Sequence, residues 1–98
     1  MTHTIYAYKL LSGEEIIGRL VSSSPEGTIT LSHIRMISMV PNNKGQVGVA
    51  LVPYMVSGGV DGDFMLFSSA VAGAPSKIDE TIEKMYMQQT TGIALGTL

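Results

Sequence analysis

Through the first seventy residues, apolar positions mostly recur with the period of two that a half-buried strand requires. Ile5–Leu11 places Tyr6, Tyr8 and Leu10 on one face and Ile5, Ala7, Lys9 and Leu11 on the other, then meets the turn residues Ser12-Gly13. Glu15–Val21 follows at once, as an antiparallel hairpin partner does, with Ile16, Gly18 and Leu20 on one face. Gly18 sits mid-strand, where it weakens the strand but permits a sharp bend or a close backbone approach. After the turn composition of residues 22–27, Thr28–Val40 reads as one long strand whose phase changes. Ile29 and Leu31 are apolar at odd positions, Ile34 and Met36 at even ones, and Ile37 and Met39 return to odd. A regular strand cannot change faces in this way, so a bulge or strong bend is expected near His33-Ile34.

Pro41–Gly45 is the next turn, Val47–Val56 an apolar, β-branched strand, and residues 57–62 a polar glycine loop. Asp63–Ser69 supplies a short final strand around Phe64–Phe67, giving five in all. The period then changes. Ile78, Ile82, Met85 and Gln89 trace a helical stripe within Ala74–Gln89, and Ser76 with Asp79 resembles a capping box. Thr90-Thr91-Gly92 is expected to stop the helix, leaving a short apolar tail, Ile93–Leu98, either frayed or added to a neighbouring subunit.

At 98 residues the chain has room for one domain, about 5–71 strands and about 75–90 helix. Its residues are 45% hydrophobic and only 14% charged, which speaks against disorder and implies that copies of the chain cover some apolar surface. A net charge of −2 removes the strongly basic, phosphate-seeking class of DNA binder. Without cysteine there are no disulfides, thiolate metal sites or thiol nucleophiles. The first six residues lack a basic and then apolar leader, and the longest uncharged stretch, Gly45–Val60, is shorter than the roughly 20 residues a membrane helix needs. A soluble, cytoplasmic protein is expected.

The residues for catalysis are few, and no enzyme is expected. His3 stands near the N-terminus, and His33 lies mid-strand with no carboxylate near it in sequence. Glu14 and Glu15 are adjacent, so in an extended chain they point apart instead of sharing a proton. Asp61-Gly62-Asp63 lacks the longer oxygen-ligand pattern of a calcium loop, and Ser57-Gly58-Gly59 lacks the ending of a phosphate loop. Ser22–Ser24 lacks the glycines of a nucleophile elbow. No metal or cofactor is expected.

One pattern stands out. Leu10-Leu11-Ser12-Gly13-Glu14-Glu15-Ile16-Ile17-Gly18-Arg19-Leu20 resembles the opening of the first motif of Sm-like proteins (Sm, LSm and Hfq), Leu-x-x-Gly-x-x-apolar-x-Gly-x-Leu. Leu10, Gly13, Ile16, Gly18 and Leu20 match that frame, and Leu31 matches its last apolar position without a gap. The family's Asp and Asn places hold Ser24 and Thr28. The second motif is degenerate, with Leu66-Phe67-Ser68 where the family has Ile-Arg-Gly, and the helix follows the strands where the family's precedes them. The low charge is also similar to that of small phage proteins, for which the compartment would be the host cytoplasm.

The resemblance implies a small, strongly bent, five-stranded antiparallel Sm-like (SH3-like) barrel with a C-terminal helix. It also implies a homo-oligomeric ring of about five to eight subunits, the fourth strand of one pairing with the fifth of the next. Such rings bind single-stranded RNA near the pore. The corresponding residues here are Ser24, Glu26 at the stacking place, Thr28 at the reading place, and Phe67 and Ser68 in the second motif. Glu26 cannot stack and repels phosphate. Phe67 has a ring that can stack, but in an apolar strand its expected place is the core. Lys9, Arg19, Arg35 and Lys44, repeated around a ring, are expected to attract a single-stranded nucleic acid, RNA or DNA. The alternative is a structural or adaptor ring without nucleic acid.

Overall fold

The computed structural model describes residues 4–91. It is mostly β: a six-stranded antiparallel sheet followed by one helix. β1 (Ile5–Leu10), β2 (Glu15–Ser24), β3 (Thr28–Pro41) and β4 (Val47–Pro53) pair as a meander. β5 (Phe64–Phe67) returns to the first part of β3, a 3-10 turn follows at Ser68–Ala70, and β6 (Val71–Gly73) pairs with the end of β1. β4 ends at Pro53, short of the expected Val56, and β6 is a sixth strand that the sequence pattern does not announce. Three residues are too few to establish an alternation.

The phase change of β3 has a definite structural cause. Ile17 pairs with Arg35 and Arg19 with Ser32, so the single residue Gly18 faces both His33 and Ile34. His33 adopts φ +53°, the left-handed region in which non-glycine residues are uncommon. This is a bulge, and it swaps the faces of β3. Before it, Ile29 and Leu31 point into one core; after it, Ile34 points there and Ile37 points to the opposite side. The bulge also divides the partners of β3, with β5 on Thr28–Leu31 and β4 on Arg35–Pro41.

Two cores result, one on each face of the sheet. Leu10, Ile16, Leu31, Ile34 and Leu66 form the first, with Tyr8, Leu20, Phe64 and Val71 packed against them. Most of the frame shared with Sm-like proteins is therefore core, and Gly13, at φ +110°, turns β1 into β2. On the other face, Ile17 and Leu51 meet Tyr86 of the helix α1 (Glu80–Thr91), with Ile5, Ala7, Ile37, Ile78, Ile82 and Met85 around them. The helix starts later than the sequence pattern implies. Asp79 alone caps it, its Oδ2 accepting from the backbone N–H groups of Thr81 and Ile82, and residues 74–79 precede the helix. Its last described residue, Thr91, lies within the expected stop Thr90-Thr91-Gly92. The tail Ile93–Leu98 lies outside the described residues.

At Gly18 a β-carbon would lie 3.2 Å from Leu31 Cβ, 3.2 Å from the Ser32 carbonyl oxygen and 3.3 Å from Ile34 Cγ1. The bulge brings β3 this close, and only a residue without a side chain accepts it unchanged. Gly18→Val is expected to cost about 1–3 kcal/mol, measured as a lower denaturant midpoint at unchanged slope. A variant as stable as the parent would contradict the close approach.

Candidate functional site

The residues singled out by the Sm-like resemblance come together. Ser24 closes β2, and its hydroxyl accepts from the Glu26 N–H at 3.1 Å and from the Thr28 hydroxyl at 3.0 Å. The Ser24 carbonyl accepts from the Gly27 N–H. Gly27, at φ +100°, directs its own carbonyl to the Ser68 N–H, 2.7 Å away, and a β-carbon there would come within 3.0 Å of the Ser68 hydroxyl. This contact ties the β2–β3 turn to the turn after β5. Thr28 pairs directly with Phe67 and Thr30 with Met65, so these four share one face of the β3–β5 pair.

Phe67 corrects the expectation of a core position: its side chain is 60% exposed. The alternation of β5 explains this, since Phe64 and Leu66 take the inward places and leave Met65 and Phe67 outside. Glu26, in the β2–β3 turn, is exposed. The surface thus carries an uncovered aromatic ring, two hydroxyls held by local bonds, and one carboxylate.

A second polar cluster lies beneath the C-terminal half of α1, and the sequence reading missed it. Arg35 is buried, at 5% exposure, and is satisfied on every side. Its Nη2 donates to Asp61 Oδ1 at 2.8 Å, its Nε to Gln89 Oε1 at 3.1 Å, and its Nη1 to the Ile34 carbonyl at 3.1 Å and more loosely to that of Val60. Gln89 in turn donates to the Leu51 carbonyl. Arg19 Nη2 donates to both the carbonyl and the hydroxyl oxygen of Thr90, placing a cation at the negative end of the helix dipole. Arg19 and Arg35 are therefore not free to gather nucleic acid, contrary to expectation. Sequence gives one clue: past the bulge Arg35 shares its face with Ile37, an unusual neighbour for a solvated cation. Nothing in the spacing marks Asp61, 26 residues on, as its partner.

Tyr86 completes this cluster. Its hydroxyl donates to the His33 carbonyl at 2.7 Å, at the bulge itself. His33 thus acts here through its backbone, and its ring Nδ1 lies 3.0 Å from the Ser32 hydroxyl. His3 lies outside the described residues. Glu14 accepts from the Ser12 hydroxyl, which holds its carboxyl below the usual carboxylate range. Asp61 is occupied by Arg35, and among the described residues no group of three or more metal-ligating side chains forms. No described helix is long and apolar enough to cross a membrane. No family model matches the chain, and neither does any curated protein.

Burial pushes the Tyr86 phenol up to about 12, against the partial opposition of the nearby Arg19 and Arg35 charges. In the unfolded chain a tyrosine ionises near 10, so that state loses its proton first as pH rises. The stabilisation from the neutral phenol is complete below about pH 10 and is lost as pH climbs toward about 12. Tyr86→Phe is expected to flatten the alkaline fall of the urea midpoint across that window. An unchanged slope would contradict burial of this hydroxyl in its neutral form.

Proposed function

We propose that the protein is a ring-forming, Sm-like module that binds single-stranded nucleic acid, RNA in the first instance, through the Ser24–Thr28 turn and Phe67. The exposed ring of Phe67, directly opposite Thr28 and tied to the turn through Gly27 and Ser68, carries this reading. A nucleobase gains about 1–3 kcal/mol by stacking on such a ring, and the Thr28 hydroxyl beside it is of a type that bonds a base edge. The module acts by binding, in processing or chaperoning of the strand, and not by catalysis.

The strand path supports a barrel of the Sm-like kind. β5 lies on β3, the 3-10 turn is one step long, and β6 lies on β1, so a short loop of chain links the two sides of the meander. An open sheet edge supports the ring. β4 pairs with β3 alone in the described sheet, and an apolar strand left open in this way is a template for another chain. A head-to-tail interface covers such an edge in every subunit.

The use of Arg19 and Arg35 inside the fold favours a second reading, an adaptor ring without nucleic acid. It also changes the expected character of binding in the first. With those two cations engaged, stacking and not phosphate attraction carries the affinity, so the dependence on salt is shallow. Phe67→Ala is expected to weaken oligo(U) binding about 5- to 150-fold, the equivalent of about 1–3 kcal/mol, without loss of stability. Glu26→Lys is expected to tighten binding at low salt by exchanging a repulsive charge for an attractive one. Fluorescence anisotropy on the parent and both variants, beside native mass spectrometry, decides between the readings. A ring whose RNA affinity neither substitution moves is the adaptor; a monomer at micromolar concentration refutes both.

A further inference from the structure

The face of the sheet that carries Phe67 repeats one row of side chains twice. Ser24 pairs with Thr28, and Thr28 with Phe67; two residues along the strands, Ser22 pairs with Thr30, and Thr30 with Met65. Each row is two hydroxyls ending in an apolar side chain, and the rows lie about 7 Å apart, the rise of two strand residues. Phe67 is 60% exposed and Met65 55%. Neither row holds a charged residue.

A second bulge creates the repeat. Leu20 pairs with Leu31 but Ser22 with Thr30, so Val21 is an extra residue in β2. Before it, the even-numbered Ile16 and Leu20 point into the core on the opposite face. After it, the even-numbered Ser22 and Ser24 stand on the face of Thr28 and Thr30. In a strand without the extra residue, Val21 would take the place of Ser22. The platform also has an end on each side. Past Ser24 and Thr28 the chain turns through residues 25–27. In the other direction the next row is Arg19 with Ser32, and Arg19 donates to Thr90, so the end of α1 stands over that row. Among the described residues, two rows lie open between these limits.

We infer that each subunit takes two consecutive nucleotides of a single strand, the base on Phe67 being followed by a second base on Met65, with Thr30 and Ser22 at its edge. This rests on the nucleic-acid reading above and fixes the length of strand that the site holds. Bases splayed side by side over a sheet are an established way of holding a single strand. A thioether is polarisable and makes favourable contacts with aromatic rings, so Met65 serves as a second, weaker support. Hydroxyls both donate and accept, so the second place adds length more than base identity. With no cation in either row, the phosphate that links the two bases stays in solvent.

NMR titration of the isotope-labelled full chain with uridine, UpU and UpUpU tests this. UpU is expected to bind at least about fivefold more tightly than uridine, because the first base delivers the second on a short linker. UpUpU is expected to gain no more than the roughly twofold that its two registers supply. Met65→Ala should bring UpU close to the affinity of uridine while leaving uridine itself unchanged, and Phe67→Ala should weaken both. Met65 is exposed, so its truncation leaves the core intact, and the amide spectrum of the free variant confirms the fold. Equal affinity for uridine and UpU, with both weakened by Phe67→Ala, overturns the two-base inference and leaves the nucleic-acid reading standing. A further gain of about fivefold from UpU to UpUpU also overturns it, since the strand would then run past the two rows. No response on this face to any of the three probes overturns both and leaves the adaptor.

Discussion

At His33 a strand that must serve two faces of one sheet changes from one to the other. The extra residue there requires a left-handed backbone conformation at His33 and a partner strand that can approach without a side chain. Gly18 satisfies the second requirement. The bulge also turns the His33 carbonyl to where the Tyr86 hydroxyl donates to it, so the irregular backbone and the helix are joined by one bond. The separation of β3 into a part paired with β5 and a part paired with β4, the two cores, and the seating of α1 all depend on this point.

Charge is used sparingly, and largely for that architecture. Of the cations expected to line a binding surface, Arg35 is buried against Asp61 and Gln89, and Arg19 holds the end of α1. A buried guanidinium is tolerable only when its donors find acceptors, and among the described residues no buried side-chain nitrogen or oxygen lacks a partner. Phe67 is left as an exposed aromatic side chain on the β3–β5 face, while these two cations are engaged within the fold.

Much of the strand plan was legible because each face of the sheet is buried somewhere, and burial imposes a period on the sequence. The change of phase between Leu31 and Ile34 located the bulge, and Gly18 marked its opposite side. Four features were not legible. β6 is too short to show alternation. The helix start depends on which side chain accepts the first free N–H groups, and Ser76 and Asp79 have equal claims until the path of residues 74–79 is known. The place of Phe67 depends on the phase of a four-residue strand with apolar residues on both faces, and composition alone put it in the core. The Arg35–Asp61 pair is tertiary, with no local trace beyond a cation among strand aliphatics.

Native-state hydrogen exchange on the parent chain and on Tyr86→Phe tests most directly whether the bulge and the helix are held as one unit. Loss of a single hydroxyl is the change, and the readout is the protection of individual amides in Ser32–Arg35 and in α1. The expected result is that both segments lose protection together, while amides of the β1–β2 hairpin near the Gly13 turn keep theirs. A helix that loses protection while the bulge amides retain theirs would contradict the dependence of the fold on this one joint.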